Sequence, residues 1–461
     1  MPDQQRVDAV VIGMGPGGEH LAGLLAEAGL DVIGVDARLV GGECPYYACV
    51  PTKMIIRAAG SLAEARRVRE LAGSARVQPD WAPVAHRIRA EATQDWDDRE
   101  AVERFEGKGG RFVRGFGRLT GPGEVTVSTG NGDLRFQAGK AIVLNTGTDP
   151  AIPPIDGLAG SPFWTNREAV AVTEVPASLV VLGGGPVGLE FAQGFARFGA
   201  AVTLVEALPG LLPAGEPEAA EVITKVLEAE QIKVRTGVSA KRVRHDGDEF
   251  TIDLDSGEPV SGQRLLVAAG RRTNLAELGV GAVGLDETAK TIEVDGRMRA
   301  AAGVWAIGDV TGRGAFTHVS MYQARIAAAD ILGEGGEDAD YRALPAVTFT
   351  DPEVGTVGLT EFAARERGIP VATGISRVPS SARGWIHKAG NEGLIKLVCD
   401  GNRDVLVGAT VVAPAGGEVL GALAVAVHAE VPVSRLRGMI YAYPTFHRGI
   451  EDALADLAEA P

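Results

Sequence analysis

A pattern of strand, glycine turn, helix and strand, closed by an acidic residue, occurs twice in these 461 residues. In the first copy Val7–Ile12 reads as a strand and Gly13-Met14-Gly15-Pro16-Gly17-Gly18 as the turn. Glu19–Ala28 reads as a small-residue-rich helix, and Asp31–Val35 as the next strand, closed by Asp36. In the second copy the strand is Ser178–Leu182, the turn Gly183-Gly184-Gly185-Pro186-Val187-Gly188, and the helix Leu189–Phe198. The strand Ala201–Val205 then ends in Glu206. Gly13 lies 23 positions before Asp36, and Gly183 lies 23 before Glu206. A glycine triplet by itself says little in a chain with 62 glycines. The same spacing twice, each time in the same context, marks an internal repeat. In such a unit the first glycine permits the tight turn, the second lets the backbone approach a pyrophosphate, and the third lets helix meet strand. The helix N-terminus then offers its N–H groups and its dipole to the phosphates. The repeat therefore predicts two parallel α/β domains, each with a dinucleotide site. Gly13, Gly15, Gly18 and Asp36 belong to the first, and Gly183, Gly185, Gly188 and Glu206 to the second.

The acid at the end of the second strand selects among dinucleotides. A carboxylate accepts a bond from a free ribose 2′-hydroxyl and repels a 2′-phosphate, so Glu206 favours NADH over NADPH. Arg197 and Lys225 are the nearest cations that could serve a phosphate instead, and neither sits at the strand end.

The chain has three cysteines and a formal charge of −15. So few cysteines cannot form a secreted disulfide framework. The charge argues against a phosphate-backbone partner, so no nucleic acid is expected. No basic segment followed by an apolar run opens the chain, and Val419–Val427 is too short to span a bilayer. The expected location is cytoplasmic, with no membrane contact. Two of the cysteines, Cys44 and Cys49, flank four residues behind Gly41-Gly42 and ahead of a helical run at Thr52–Leu71. In a cytoplasmic chain such a pair is more often catalytic or metal-binding than structural. A zinc site would need about four ligands, and no further Cys or His lies at finger spacing. No metal is expected. Cys399 closes an apolar strand and reads as a buried, inert thiol.

Residues 80–108 read as further helix, with His86 exposed on it. Arg111–Leu119, Glu124–Ser128 and Leu134–Gln137 read as short strands, and Ala141–Gly147 as a buried one. A proline-rich crossover at Asp149–Pro154 separates 1–150 from 151–270. The second domain carries a helix at Gly215–Gln231 and strands near Lys233–Arg235, Phe250–Leu254 and Arg264–Ala268. It leaves through Gly270-Arg271-Arg272. Val304–Asp309 is a strand ending in Gly308-Asp309, and Val319–Leu332 an alanine-rich helix, so 271–340 returns to the first domain. After a Gly/Glu/Asp linker, 341–461 mixes strands with helices at Glu418–His428 and Gly449–Ala460 and reads as a third, α+β domain.

Taken in order, these motifs resemble the FAD-dependent pyridine nucleotide–disulfide oxidoreductases, over nearly the whole chain. The resemblance implies two Rossmann-like domains and a C-terminal dimerisation domain. In its terms 1–150 with 271–340 bind FAD, 151–270 bind NAD, and 341–461 join a homodimer. It implies that Cys44-Pro45-Tyr46-Tyr47-Ala48-Cys49-Val50-Pro51-Thr52-Lys53 carries a redox disulfide. Cys49 would lie beside the flavin, and Cys44 would exchange with a small-molecule substrate. Lys53 and Glu190 match a pair placed near the flavin. Gly117, Gly147, Gly308 and Asp309 match FAD contacts, and Gly270 an NAD contact. Electrons would pass from NADH through FAD to the pair and on to a disulfide or thiol-reactive substrate.

The chain departs from the family at its C-terminal His-Pro-Thr-x-x-Glu motif. Here the run is Tyr443-Pro444-Thr445-Phe446-His447-Arg448. A tyrosine of ordinary pKa ~10 is a poor base at neutral pH. His447 is adjacent, and Arg448 suits an anionic substrate or a thiolate. Glu43 stands where a small hydroxyl residue is common, and is expected to turn away from the pyrophosphate. Two rival activities follow. One is direct flavin reduction of quinones, metal ions or oxygen, without the cysteines. The other is reductive C–S cleavage or carboxylation at the pair.

Overall fold

The computed structural model of the chain describes residues 4–459. It divides into two compact units. One comprises Met1–Pro51, Arg87–Ala151 and Arg271–Asp340, and the other Thr52–His86, Ile152–Gly270 and Tyr341–Pro461.

The first unit is built on one sheet. Its strands run Arg299–Ala301, Val304–Ala306, Gly132–Leu144, Gln5–Ile12, Val32–Asp36 and Arg111–Arg114 across the sheet. All neighbours are parallel except the outermost pair, Arg299–Ala301 with Val304–Ala306. Both faces of such a sheet must be covered, and the central strand shows it. Val7, Val10 and Ile12 pack on one side, and Ala9 and Val11 on the other. That two-sided burial is why Ala9–Ile12 reads as a continuous apolar run and not as an alternating one. The small-residue helix Pro16–Glu27 buries Leu21, Ala22 and Leu25 against one face. A meander of Phe116–Gly121, Glu124–Thr129 and Gly132–Leu144 extends the sheet. The two strands expected at Leu134–Gln137 and Ala141–Gly147 are thus one strand of 13 residues.

The second unit holds the second repeat and the C-terminal region. Its parallel sheet is ordered Lys233–Thr236, Ala201–Glu206, Ser178–Leu182, Arg264–Val267. A three-stranded antiparallel sheet, Ala240–His245, Phe250–Leu254 and Val260–Gly262, adds to it. The C-terminal sheet is antiparallel, ordered Pro345–Thr348, Glu353–Gly358, Val405–Ala413, Leu394–Asp400, Val371–Arg377. Helices Gly416–His428 and Gly449–Glu459 help to close the core over it. Ala460, the expected end of the last helix, lies outside the described residues.

Residues 80–108 are not one helix. Ala82–His86 is followed by a π-helical stretch, Arg87–Ala92, and then by Arg99–Glu106. Between them Gln94, Asp95 and Trp96 have φ of 48°, 58° and 57°. Three consecutive left-handed residues end a right-handed helix. His86 is exposed, as expected.

Candidate cofactor and cysteine sites

In the first unit the glycines divide their work as the repeat predicts. A Cβ at Gly13, whose φ is +95°, would meet Asn145 O at 2.3 Å, and one at Gly18 would meet Gly13 O at 2.0 Å. Protein fills both positions. At Gly15 the nearest atom is Asn145 Nδ2, 3.3 Å away. Gly15 is also the residue before the helix Pro16–Glu27, and no side chain caps that helix. The turn thus presents an open backbone and the leading N–H groups of a helix, which suits a pyrophosphate. Asn145 fixes the turn by donating from Nδ2 to Gly13 O (3.1 Å) while accepting from Ser320 Oγ (3.1 Å).

Asp36 accepts from the N–H groups of Met14 and Arg38, both at 2.7 Å. Burial pushes its carboxyl above the ordinary range, against the pull of those two N–H groups and of Arg114 and Arg38. Gly117 is buried against Ile12 and Val35, at 3.0 and 3.2 Å from an added Cβ. Gly147, with φ +63°, has open space around its Cβ position. Gly308 packs on Asn145 Oδ1, and its N–H donates to Gln323 Oε1 at 2.6 Å. Asp309 accepts from Thr148 Oγ1 at 3.0 Å. Burial pushes its carboxyl up; Arg271 and Thr148 pull it down, and the nearby Glu43 raises it again. Glu43 therefore lies close enough for Asp309 to feel its charge.

The cysteine stretch is stitched to the same glycine turn. Gly41 N–H donates to Met14 O at 2.7 Å. A Cβ on Gly42, whose φ is +67°, would come within 2.9 Å of Gly15 Cα. Only a Gly-Gly pair lets these two backbones lie together. Cys44 falls in the short helix Glu43–Tyr46, and Cys49 opens the 23-residue helix Cys49–Leu71. Both sulfurs are half-buried. Cys49 Sγ lies 3.5 Å from Thr317 Oγ1. Tyr46, between the cysteines, is buried and reaches Asp97 O at 3.5 Å. Burial first, then Asp98, pushes its hydroxyl up to about 12. Cys399 is buried, and burial pushes its thiol up to about 11.

In the second unit the glycine pattern repeats. An added Cβ would meet Ala268 O at 2.3 Å at Gly183 and Gly183 O at 2.0 Å at Gly188, while Gly185 has nothing within 4 Å. The uncapped helix Pro186–Arg197 starts there. Glu206 is 8% exposed and accepts from Gly184 N (2.6 Å) and Leu208 N (2.7 Å). Gly270, with φ +116° and open space at its Cβ, lies two residues beyond Ala268. Arg197 does not face a phosphate. It is buried, and its guanidinium is bound by Glu230 (2.6 and 2.9 Å) and Asp351 (2.8 Å).

Lys53 and Glu190 meet in this unit. Lys53 Nζ donates to both carboxylate oxygens of Glu190, at 2.8 and 3.1 Å. Glu190, 4% exposed, also accepts from Phe349 N at 2.9 Å, and the Phe349 ring centroid is 4.7 Å from Lys53 Nζ. The C-terminal candidates keep local company instead. Arg448 pairs with Glu451 at 2.7 Å and stacks over Tyr443 at 5.5 Å. The Tyr443 side chain is exposed, and the His447 ring sits 6.1 Å from that of Tyr441.

Sequence reasoning did not single out Asn145, Thr317, Gln323 or Asp351. Asn145 sits just past a strand, Thr317 at a helix start, Gln323 within that helix and Asp351 between two strands, and none of these positions by itself signals a partner. Among the described residues there is no group of three or more His, Cys, Asp or Glu that could hold a metal ion. No described helix is long and apolar enough to cross a membrane.

Comparison with known proteins agrees with this geometry. Residues 7–324 match the family model described as pyridine nucleotide-disulphide oxidoreductase, and residues 344–454 match its dimerisation domain. The chain is 35% identical to a dihydrolipoyl dehydrogenase of Thermus scotoductus, covering 97% of this chain and 96% of that one. It is 32% identical to a mercuric reductase of Shewanella putrefaciens, covering 97% and 80%. Among solved structures it superposes on the Cu(II) complex of the HOCl-induced flavoprotein disulfide reductase RclA from Escherichia coli. The TM-score is 0.86 at 26% identity, covering 98% of this chain and 99% of that one. With its two glycine turns, its cysteine stretch and its C-terminal sheet, the chain belongs to the pyridine nucleotide-disulphide oxidoreductase family of FAD-dependent enzymes.

Proposed function

We propose that the chain passes electrons from NADH through FAD to a Cys44–Cys49 disulfide and on to a disulfide or thiol-reactive small molecule, as a cytoplasmic homodimer. The observation that carries this reading is the contact of Gly41 and Gly42 with the first glycine turn, which fixes the cysteine stretch at the FAD-type fingerprint. Gly13, Gly15, Gly18, Asp36, Gly117, Gly147, Gly308 and Asp309 would hold FAD. Gly183, Gly185, Gly188, Glu206 and Gly270 would hold NADH. The domain roles follow: 1–150 with 271–340 for FAD, 151–270 for NADH, and 341–461 for the subunit contact.

Bound by the first glycine turn and Asp36, FAD would supply two-electron redox chemistry between NADH and the disulfide. The reduced pair then works by thiol exchange. The Cys44 thiolate attacks one sulfur of the substrate disulfide and releases the other as a thiol. Cys49 attacks the mixed disulfide at Cys44, re-forms the intramolecular bond and frees the second product thiol. Cys49 is suited to carry charge because it opens a helix, where the dipole favours a thiolate. Lys53, held by Glu190, would present a fixed ammonium to the flavin.

The acid/base step is where this chain differs from its family. Tyr443 stands in place of histidine, and Arg448 is engaged by Glu451. We assign proton transfer at Cys44 to Tyr443, His447 or solvent, and anion binding to Arg448. The same departure favours the rival in which reduced flavin acts directly on a quinone, metal ion or oxygen. A Cys44→Ala/Cys49→Ala variant separates them. With NADH and a disulfide acceptor it should turn over at least about a hundredfold more slowly than the parent, since nucleophile loss is of that order or greater. Full turnover by this variant would establish the direct reaction instead.

A further inference from the structure

Cys49 Sγ and Thr317 Oγ1 are 268 positions apart in sequence and 3.5 Å apart in the first unit, a sulfur hydrogen-bond distance. Thr317 is the first residue of the 16-residue helix Thr317–Leu332. The residue before it, Phe316, gives that helix no side-chain cap. Cys49 is itself the first residue of the helix Cys49–Leu71. Two helix starts therefore meet at one sulfur. The first N–H groups of a helix have no intrahelical acceptor, and its N-terminus carries partial positive charge. A hydroxyl at that point can donate only if the sulfur has lone pairs to accept, which a thiolate offers more strongly than a thiol.

We propose that Thr317 is a positioning residue for Cys49: its hydroxyl donates to the Cys49 thiolate and holds that sulfur at the start of the helix Thr317–Leu332. The inference rests on the electron path proposed above and deepens it. It gives Cys49 a built partner for its charged form. The titratable groups nearest in sequence on the two elements are Glu43, Cys44, Tyr46, Tyr47 and Lys53 on one, and His318 on the other. All but Cys44 stay constant in the comparison below.

The test uses the full-length holoenzyme with Cys44→Ser, so that Cys49 is the remaining thiol of the pair. Alkylation by iodoacetamide is followed across pH, with peptide mass mapping to separate Cys49 from Cys399. Adding Thr317→Val, which keeps the shape of threonine and removes the hydroxyl, should raise the alkylation midpoint of Cys49 by about one pH unit. That is the size expected for one hydrogen bond to a charged group. Below the midpoint, alkylation should slow roughly tenfold. Thr317→Ser should restore the parent midpoint. An unchanged midpoint in the valine variant, or a serine variant that behaves like valine, would overturn the inference. This titration uses neither NADH nor an acceptor. A missing shift alongside normal reduction of the pair by NADH removes Thr317 alone. A normal shift without reduction by NADH removes the electron path alone.

Discussion

Glu206 shows how one residue is fixed before any ligand arrives. Its two oxygens accept from Gly184 N and Leu208 N, and Asp36 accepts from Met14 N and Arg38 N in the same relation to its own turn. Each acid thus ties a strand end to the glycine turn, and in the proposed function its remaining lone pairs would serve a ribose. The proposed preference for NADH rests on the negative charge of Glu206, and the rival cation Arg197 is buried and occupied by Glu230 and Asp351. Glu206→Gln keeps the shape and loses the charge. The ratio of kcat/KM for NADH over that for NADPH should fall roughly tenfold, the worth of one charge-assisted bond. Steady-state kinetics with both nucleotides would show it, and an unchanged ratio would remove Glu206 from the selection. The glycines and acids of both turns were legible in the sequence because each turn and its acid lie within about two dozen residues of one another. Thr317 and Asn145 were not, because a hydroxyl or an amide announces nothing until the chain has folded it against Cys49 or Gly13.

The helix Pro186–Arg197 shows the same limit at the next scale. Its glycine start and its small residues could be read. Its grip on the C-terminal region could not. Glu190, Gln193 and Arg197, spaced three and four apart on one face, hold Phe349 N, Asp351 N and the Asp351 carboxylate. Charged strands were missed for a related reason. Ala240–His245 carries Lys241, Arg242 and Arg244, and shows little of the apolar alternation that marks a half-buried strand. The strand Leu394–Asp400 hides a further element-level device. Lys396, almost fully buried, donates to Glu216 (2.8 Å) and Glu218 (2.8 and 3.0 Å) at the start of helix Pro217–Ala229, and pairs with Glu361 (2.9 Å). Burial alone would lower its pKa; the three carboxylates outweigh that and hold it above the ordinary lysine value. Glu361 is held below its ordinary value by Lys396 first and then by Arg365. The lysine's contribution is therefore complete below its unfolded pKa and lost as pH climbs through the raised one. That of Glu361 is present above its unfolded pKa and lost as pH falls through the lowered one. Lys396→Met strands buried Glu216 without its cation and should cost about 3–5 kcal/mol. It should lower the urea midpoint near neutral pH and remove the lysine's part of the alkaline loss. An unchanged midpoint would mean the cluster holds nothing together.

At the scale of the whole molecule, order along the chain carried most of the information. Two fingerprints with a cysteine stretch after the first and an α+β region at the end are enough to read the architecture. What acts on the cysteines is a different matter. The C-terminal run that would serve a partner's cysteines has Tyr443 exposed, beside Met439 and Ile440, which are also exposed. The proposed homodimer would cover this apolar edge and bring Tyr443, His447 and Arg448 to Cys44 of the other subunit. Only that assembly would decide which group moves the proton, and a single chain's sequence does not encode the meeting. The central claim, that the Cys44–Cys49 pair lies in the electron path, has a direct reading. The purified flavoprotein is reduced anaerobically with NADH and its visible spectrum recorded. The account predicts a long-wavelength thiolate-to-flavin absorption in the wild type that disappears in Cys49→Ser. A wild-type spectrum that only bleaches, with no such band, would contradict it.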